Sequence, residues 1–130
     1  MVRNYGASGK RSPDPFPAKY DRTFGDADTA TWNFTSWIPD LVVICLGTND
    51  YSTDPHPDDS MYIGDYHKFI TGILANYPST SVLCVSTSSG AFENNVKKVV
   101  KEEVENLNHP RVYFAPFPKS RVYTWPVTGT

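Results

Sequence analysis

The chain has 130 residues, of which 39% are hydrophobic, and this is enough for one domain with its own apolar core. Its net charge of -2 excludes the strongly basic surface that binds nucleic acid or an anionic membrane. The longest apolar run, Leu41–Leu46, is too short to span a bilayer, and no apolar signal-peptide core follows Met1. We therefore predict no nucleic-acid partner and no membrane partner, and the oligomeric state and compartment stay open.

The first clear element in chain order follows a segment, residues 1–31, that is rich in Gly, Pro, Asp and Thr and has no sustained period. Trp32, Phe34 and Trp37 then form an aromatic patch that we expect to pack beside a sheet. The next segment, Asp40–Gly47, is apolar throughout its centre rather than alternating. This pattern predicts a strand that is buried on both faces, as in a parallel sheet.

Two helices and two further strands are predicted after that first strand. Apolar residues recur at helical spacing over residues 62–77, up to Pro78, and again over residues 93–108. Ser81–Thr87 and Arg111–Phe114 have the composition of buried strands. Strand–helix–strand–helix–strand is half of a doubly wound α/β sheet, so we predict one α/β domain over residues 1–130.

The two cysteines, Cys45 and Cys84, both lie within the predicted strands. Two cysteines do not make a disulfide framework, and a bridge between adjacent parallel strands would strain the disulfide geometry. We expect two free, buried thiols that act as small hydrophobic side chains. No group of Cys and His has the spacing of a zinc site, so no metal is predicted.

The carboxyl end of the first predicted strand carries Gly47, Asn49 and Asp50. Ligands bind at the carboxyl ends of strands in open α/β sheets. Asn49 offers a neutral amide donor that suits an oxyanion hole, and Asp50 could hold the loop by accepting backbone N–H bonds. Gly-Thr-Asn-Asp is also ordinary turn composition, so the tetrapeptide alone leaves a plain turn as the alternative.

The flanking residues carry a resemblance to a known family. LGTND after a buried strand resembles the Gly-x-Asn-Asp block of the SGNH (GDSL-like) hydrolases. RNYG, YDRT, WNFTSWIPD, GTNDYST and the NYP that ends the first helix are similar to the acetyl esterases of carbohydrate esterase family two. The resemblance extends from about Arg3 to the end of the chain and is most specific over Trp32–Thr53.

This resemblance implies a three-layer α/β/α, flavodoxin-like fold, here partial, and a serine esterase without a cofactor. It implies an acetylated polysaccharide of the xylan or mannan type, or a small acyl ester, as the substrate. The implied oxyanion donor is Asn49, with Gly47 as the glycine of the motif and Asp50 beside it. Tyr51, Trp37 and Trp125 are the aromatic side chains that we predict to bind substrate.

Other functional blocks of the family are not found in these 130 residues. No Gly-Asp-Ser nucleophile block occurs, and the Asp-x-x-His or Asp-x-His-Pro block expected near the C-terminus has no convincing match. Asp54-Pro55-His56-Pro57 has the right letters, but a turn explains it. We therefore expect a chain truncated at both ends, doubtful activity of the chain alone, and an extracellular location if a longer form exists.

Two other functions stay open at this point. A non-catalytic carbohydrate-binding remnant would use aromatic side chains as stacking platforms, although large aromatic residues are more often part of a core. An SGNH lipase or thioesterase would act on another acyl ester. Ser88-Ser89-Gly90 lacks the pattern of a nucleophile elbow, and His67 and His109 carry no catalytic signal.

Overall fold

A computed structural model describes residues 4–5, 11–12, 15–23, 30–52, 54–87 and 90–116. In chain order its elements are β1 (Asn4–Tyr5), β2 (Arg11–Ser12), a 3-10 helix (Phe16–Lys19), β3 (Leu41–Ile44), α1 (Thr48–Tyr51), α2 (Asp59–Asn76), β4 (Ser81–Ser86), α3 (Ala91–Glu105) and β5 (Val112–Pro116). In this part of the chain, no helix is both long and apolar enough to cross a membrane.

The central element is a parallel sheet in the order β3-β4-β5. Val43 pairs with Leu83, and Leu83 pairs with Tyr113, so the three strands are in continuous register. A parallel connection needs a crossover, and α2 and α3 provide the two crossovers of this sheet. The predicted order of strands and helices and the predicted partial α/β fold are confirmed.

The apolar core lies between one face of this sheet and the two long helices. From the sheet it takes alternate residues, among them Ile44, Val82 and Val112. From the helices it takes the stripe that the sequence pattern predicted, which on α2 comprises Tyr62, Ile63, Tyr66, Phe69, Ile70 and Ile73. α2 ends at Asn76 because Pro78 disfavours helical backbone in the residue before it.

The prediction that the first strand is buried on both faces is wrong for the described residues. β3 ends at Ile44 and lies at the edge of the three-stranded sheet. Leu41 is 50% exposed and Val43 is 55% exposed, whereas Ile44 is 2% exposed. Side chains alternate between the two faces of a strand, and within the described residues the helices cover only one face. Cys45 is accordingly exposed, and only Cys84 is the buried free thiol that we expected.

The second helix also differs from its prediction at its carboxyl end. This helix, α3, ends at Glu105, and Val104 and Leu107, which belong to the apolar pattern over residues 93–108, are 41% and 46% exposed. Glu103 occupies the buried position instead, with 0% exposure. The chain leaves the helix through Asn108, whose φ of 56° lies in the left-handed region that asparagine tolerates.

The aromatic patch before β3 is only partly packed. Phe34 contacts the rings of Tyr20 and Tyr77 at centroid distances of 5.5 Å each, so it joins the core beside the amino end of β3. Trp32 and Trp37 are 41% and 65% exposed. The expectation that all three rings pack against the sheet is therefore correct only for Phe34.

The one-sided burial of β3 predicts different effects of two neighbouring truncations. Ile44→Ala removes a core side chain and should lower the free energy of unfolding by about 2–4 kcal/mol. Val43→Ala, on the exposed face, should lower it by less than about 1 kcal/mol. Urea unfolding followed by circular dichroism measures both variants, and equal losses would contradict the one-sided core.

Candidate functional site

The candidate site is the segment that follows β3 at its carboxyl end. Gly47 is buried with φ 132°, and its carbonyl accepts bonds from Asp50 N at 3.0 Å and Tyr51 N at 3.1 Å. The chain therefore makes one helical turn, α1, directly after the strand. Asn49 lies on this turn and is partly exposed, while Asp50 is 1% exposed. The predicted turn forms, and it holds the two side chains in different environments.

Gly47 is held by two aromatic residues from different helices. A Cβ on Gly47 would lie 2.5 Å from the hydroxyl oxygen of Tyr62 and closer still to the ring of Phe92. The Tyr62 hydroxyl donates a hydrogen bond to the carbonyl of Leu46 at 3.0 Å. Burial raises the pKa of that hydroxyl above its ordinary value of 10, so it stays a donor at neutral pH. A glycine is required here by both the φ angle and the close approach.

Asn95 fixes the other end of the turn. Its side chain is buried on α3, and its Nδ2 donates to the Tyr51 hydroxyl at 2.7 Å and to Asp59 Oδ1 at 2.5 Å. Asp59 is the first residue of α2, so one amide links α1, α2 and α3. The Tyr51 ring stacks on Phe92 at a centroid distance of 5.4 Å. The structure thus places Tyr51 within an aromatic cluster that supports the turn.

A second strand end meets this segment. Thr48 Oγ1 and Thr87 Oγ1 lie 3.1 Å apart, so the residues that follow β3 and β4 are linked by a hydroxyl pair. The pair lies at the carboxyl ends of two parallel strands, which is the edge of the sheet where open α/β proteins bind ligands. Ser88 and Ser89, which follow Thr87, lie outside the described residues.

The structure does not bring all the predicted site residues together. Gly47, Asn49, Asp50 and Tyr51 share one turn, but Trp37 precedes β3 and lies at the opposite end of that strand. A strand of four residues separates these two ends by about 13 Å. Trp125 lies outside the described residues.

The three histidines lie in two different surroundings. His56 Nε2 is 3.4 Å from Asp54 Oδ1, but Asp54 is 91% exposed, so this is a surface pair of small energetic weight rather than a buried acid–base dyad. His67 and His109 both contact Glu103, away from the turn. Among the residues with described positions, no group of His, Cys, Asp and Glu is arranged to hold a metal ion.

Sequence reasoning missed the residues that support the turn. Phe92 and Asn95 lie three residues apart on α3, so they share a helix face and both point at the Gly47–Tyr51 segment. Their spacing is visible in the sequence, but nothing in the sequence indicates which segment they contact. Tyr62 begins the apolar stripe predicted over residues 62–77, but the sequence does not indicate the hydrogen bond from its hydroxyl to Leu46.

The close packing around Gly47 predicts a large effect of one added methyl group. Gly47→Ala should lower the free energy of unfolding by roughly 2–5 kcal/mol, because it combines backbone strain with a clash against Phe92 and Tyr62. The matched control is Gly64→Ala within α2, where no atom lies within 4 Å of the added Cβ. The control should gain about 0.5–1 kcal/mol from higher helix propensity. Thermal unfolding of both variants tests this, and a harmless Gly47→Ala would contradict the described packing.

Comparison with curated proteins finds esterases. The chain is 32% identical over 121 residues to an acetylxylan esterase/glucomannan deacetylase of Cellvibrio japonicus, covering 88% of this chain and 32% of the relative. It is 30% identical over 125 residues to the cellulase/esterase CelE of Acetivibrio thermocellus, covering 92% of this chain and 15% of that protein. The chain therefore spans about a third or less of these relatives. No protein-family model matches it.

Comparison with solved structures also finds esterases. A family two carbohydrate esterase from Clostridium thermocellum, in complex with cellohexaose, matches with a TM-score of 0.73 and 30% identity over 90% of this chain and 36% of that one. A Corynascus enzyme of the same family, solved with a carbohydrate binding domain, matches with a TM-score of 0.73 and 25% identity over 92% of this chain and 40% of that one. The resemblance is confirmed: the curated relatives are named as esterases and the matched structures as family two carbohydrate esterases, and this chain is similar to them in both sequence and fold.

Proposed function

We propose that this chain provides the oxyanion-donor part of an SGNH-type ester hydrolase that removes O-acetyl groups from a polysaccharide. The observation that carries the proposal is the position of Asn49, a partly exposed amide on a rigid turn at the carboxyl end of β3. The names of the curated relatives support the substrate class, since one is an acetylxylan esterase and glucomannan deacetylase.

The chemical role of Asn49 follows from the course of ester hydrolysis. A serine hydroxyl adds to the acetyl carbonyl while a histidine takes its proton, and the carbonyl oxygen becomes an oxyanion. In this proposal the Asn49 amide donates a hydrogen bond to that oxygen. Because the negative charge develops only in the transition state, a fixed donor lowers the barrier without tightening substrate binding.

The packing around the turn supports this role because it fixes the donor before substrate arrives. On the amino-terminal side of Asn49, Gly47 packs between Phe92 and Tyr62. On its carboxyl-terminal side, the Tyr51 hydroxyl accepts a hydrogen bond from Asn95. A donor that needs no reorganisation during the reaction stabilises an oxyanion better than a mobile one. Asp50, buried beside Asn49, is proposed to hold the turn, and its bonds to backbone N–H groups stay a prediction.

The test is an esterase assay on p-nitrophenyl acetate and on acetylated xylan and glucomannan. The assay compares this chain with a longer form that includes any residues encoded before and after it. In whichever form is active, Asn49→Ala should lower kcat about 100- to 1,000-fold with little change in KM, because the lost hydrogen bond forms only in the transition state.

The matched control is Asn33→Ala, an exposed asparagine before the amino end of β3, which should leave kcat unchanged. Unchanged activity of Asn49→Ala would contradict the oxyanion role. Hydrolysis of p-nitrophenyl acetate without release of acetate from either polysaccharide would instead favour an SGNH enzyme that acts on another acyl ester.

A second candidate function is polysaccharide binding without turnover. One structural neighbour has cellohexaose bound, and another is described as showing divergent catalytic and non-catalytic binding functions. On the described part of this chain, Trp37 is the aromatic ring best placed to stack on a sugar, since it is 65% exposed while Tyr51 packs against Phe92.

Affinity electrophoresis in gels that contain soluble acetylated glucomannan tests this candidate. If Trp37 stacks on sugar, Trp37→Ala should weaken binding by about two- to tenfold. Ile38→Ala is the control, because Ile38 is equally exposed at 63% but has no aromatic ring. Identical retardation of both variants would show that Trp37 does not contact the polysaccharide.

A further inference from the structure

The most unusual side chain outside the candidate site is the buried carboxylate of Glu103. It lies near the carboxyl end of α3 with 0% exposure. Its Oε1 is 2.5 Å from Nδ1 of His67 on α2, and its Oε2 is 2.5 Å from Nδ1 of His109 in the connection to β5. A buried carboxylate is unfavourable unless it is paired and hydrogen-bonded, and these two contacts satisfy both of its oxygens.

The geometry around His67 sets its protonation state. Its Nδ1 faces Glu103, and its Nε2 lies 2.9 Å from Oε2 of Glu102. A neutral imidazole carries one N–H group and one lone pair, whereas an ionised carboxylate only accepts hydrogen bonds. Between two ionised carboxylates, both contacts are hydrogen bonds at once only when the ring is an imidazolium. His109 differs, because its contact with Glu103 needs a single N–H group that a neutral ring also supplies.

Other ionisable groups complete the surroundings of the pair. Lys98 lies on the solvent side, with Nζ 3.9 Å from Oε1 of Glu102. The charge of Glu103 is also felt by the Cys84 thiol of β4, whose pKa is raised to about 12, mainly by burial. Groups that face the cluster or flank it on its own elements are Glu102, Lys98, His109, Cys84, Tyr66 and the exposed Asp65–Lys68 pair. His67 is the cation that contacts the buried Glu103 carboxylate from the facing helix.

Burial and pairing act on His67 in opposite directions. Burial of the ring lowers the pKa of His67, while the hydrogen bonds and negative charges of Glu103 and Glu102 raise it. The pairing outweighs the burial, so the pKa lies above its ordinary value of 6.5.

We propose that His67, Glu102, Glu103 and His109 form a pH-dependent lock that fixes α2 and the β5 connection to α3. The lock stabilises the helix interface when His67 is an imidazolium that donates to both Glu103 and Glu102. When the ring loses a proton, one nitrogen presents a lone pair to a carboxylate oxygen, and the attraction across the helix interface becomes repulsion. This inference does not depend on the proposed function.

The sign of the pH dependence follows from linkage. A group whose pKa is raised by folding stabilises the folded state fully below its unfolded pKa, and this contribution is lost as the pH rises through the folded pKa. For His67 the stabilisation is therefore present below about pH 6.5 and declines at higher pH. The described fold should be more stable in mildly acidic than in mildly alkaline solution.

The first test measures urea unfolding of the full chain between about pH 6 and about pH 9. The midpoint should fall as the pH rises in the wild-type chain and should be flat, or clearly flatter, in His67→Gln. His56→Gln, which changes an exposed histidine, is the control and should keep the wild-type profile. A wild-type profile that rises with pH, or one that His67→Gln leaves unchanged, would overturn the proposal.

The second test does not require an altered core. Nitrogen NMR of the wild-type chain should show both ring nitrogens of His67 protonated near neutral pH. Glu102→Gln, at a half-exposed position, removes one carboxylate and should move the His67 titration to lower pH. A neutral His67 ring at neutral pH, or a titration that Glu102→Gln does not move, would also overturn the lock.

Discussion

The position of the candidate site depends on the contact of a single glycine with two helices. The backbone at Gly47 passes so close to the Phe92 ring and the Tyr62 hydroxyl that no side chain fits there. Phe92 comes from α3 and Tyr62 from α2, so the turn that carries Asn49 is fixed only when both helices are packed on the sheet. The geometry of the proposed oxyanion donor is therefore a consequence of the core.

The same core covers only half of the sheet in the described residues. Parallel sheets in α/β proteins are covered on both faces, but the face formed by Leu41, Val43 and Tyr113 is exposed here. β3 also lies at the sheet edge, where its outer backbone groups have no partner strand among the described elements. An exposed apolar edge of this kind is a position where a further strand or another chain can pair.

α3 connects two features that use polar chemistry in different ways. Near its amino end, the neutral amide of Asn95 donates hydrogen bonds to the Tyr51 hydroxyl and to the Asp59 carboxylate, and these bonds hold the turn. Near its carboxyl end, Glu103 is buried against two histidines, and one of them must be charged for its contacts to be satisfied. The donor that supports the proposed site is thus an amide, which does not titrate, whereas the histidine contacts lie at the other end of the helix.

Much of the fold could be predicted from the sequence because its signals are local. The apolar pattern predicted the two long helices and the three strands of the main sheet, and Pro78 predicted the end of α2. The residues on either side of GTND indicated the resemblance to carbohydrate esterases. A turn over Gly47–Asp50 was one of the two readings of that tetrapeptide, since its residues are contiguous.

What the sequence could not give was the set of partners that each element meets in space. Only the tertiary structure decided that β3 is buried on one face, that Glu103 rather than Val104 lies inside, and that Trp37 is remote from Asn49. Burial of Glu103 requires two histidines that are 36 and 6 residues away in the chain. Periodicity measures the average polarity of a face, whereas a buried charge depends on specific partners that only the packed helices bring together.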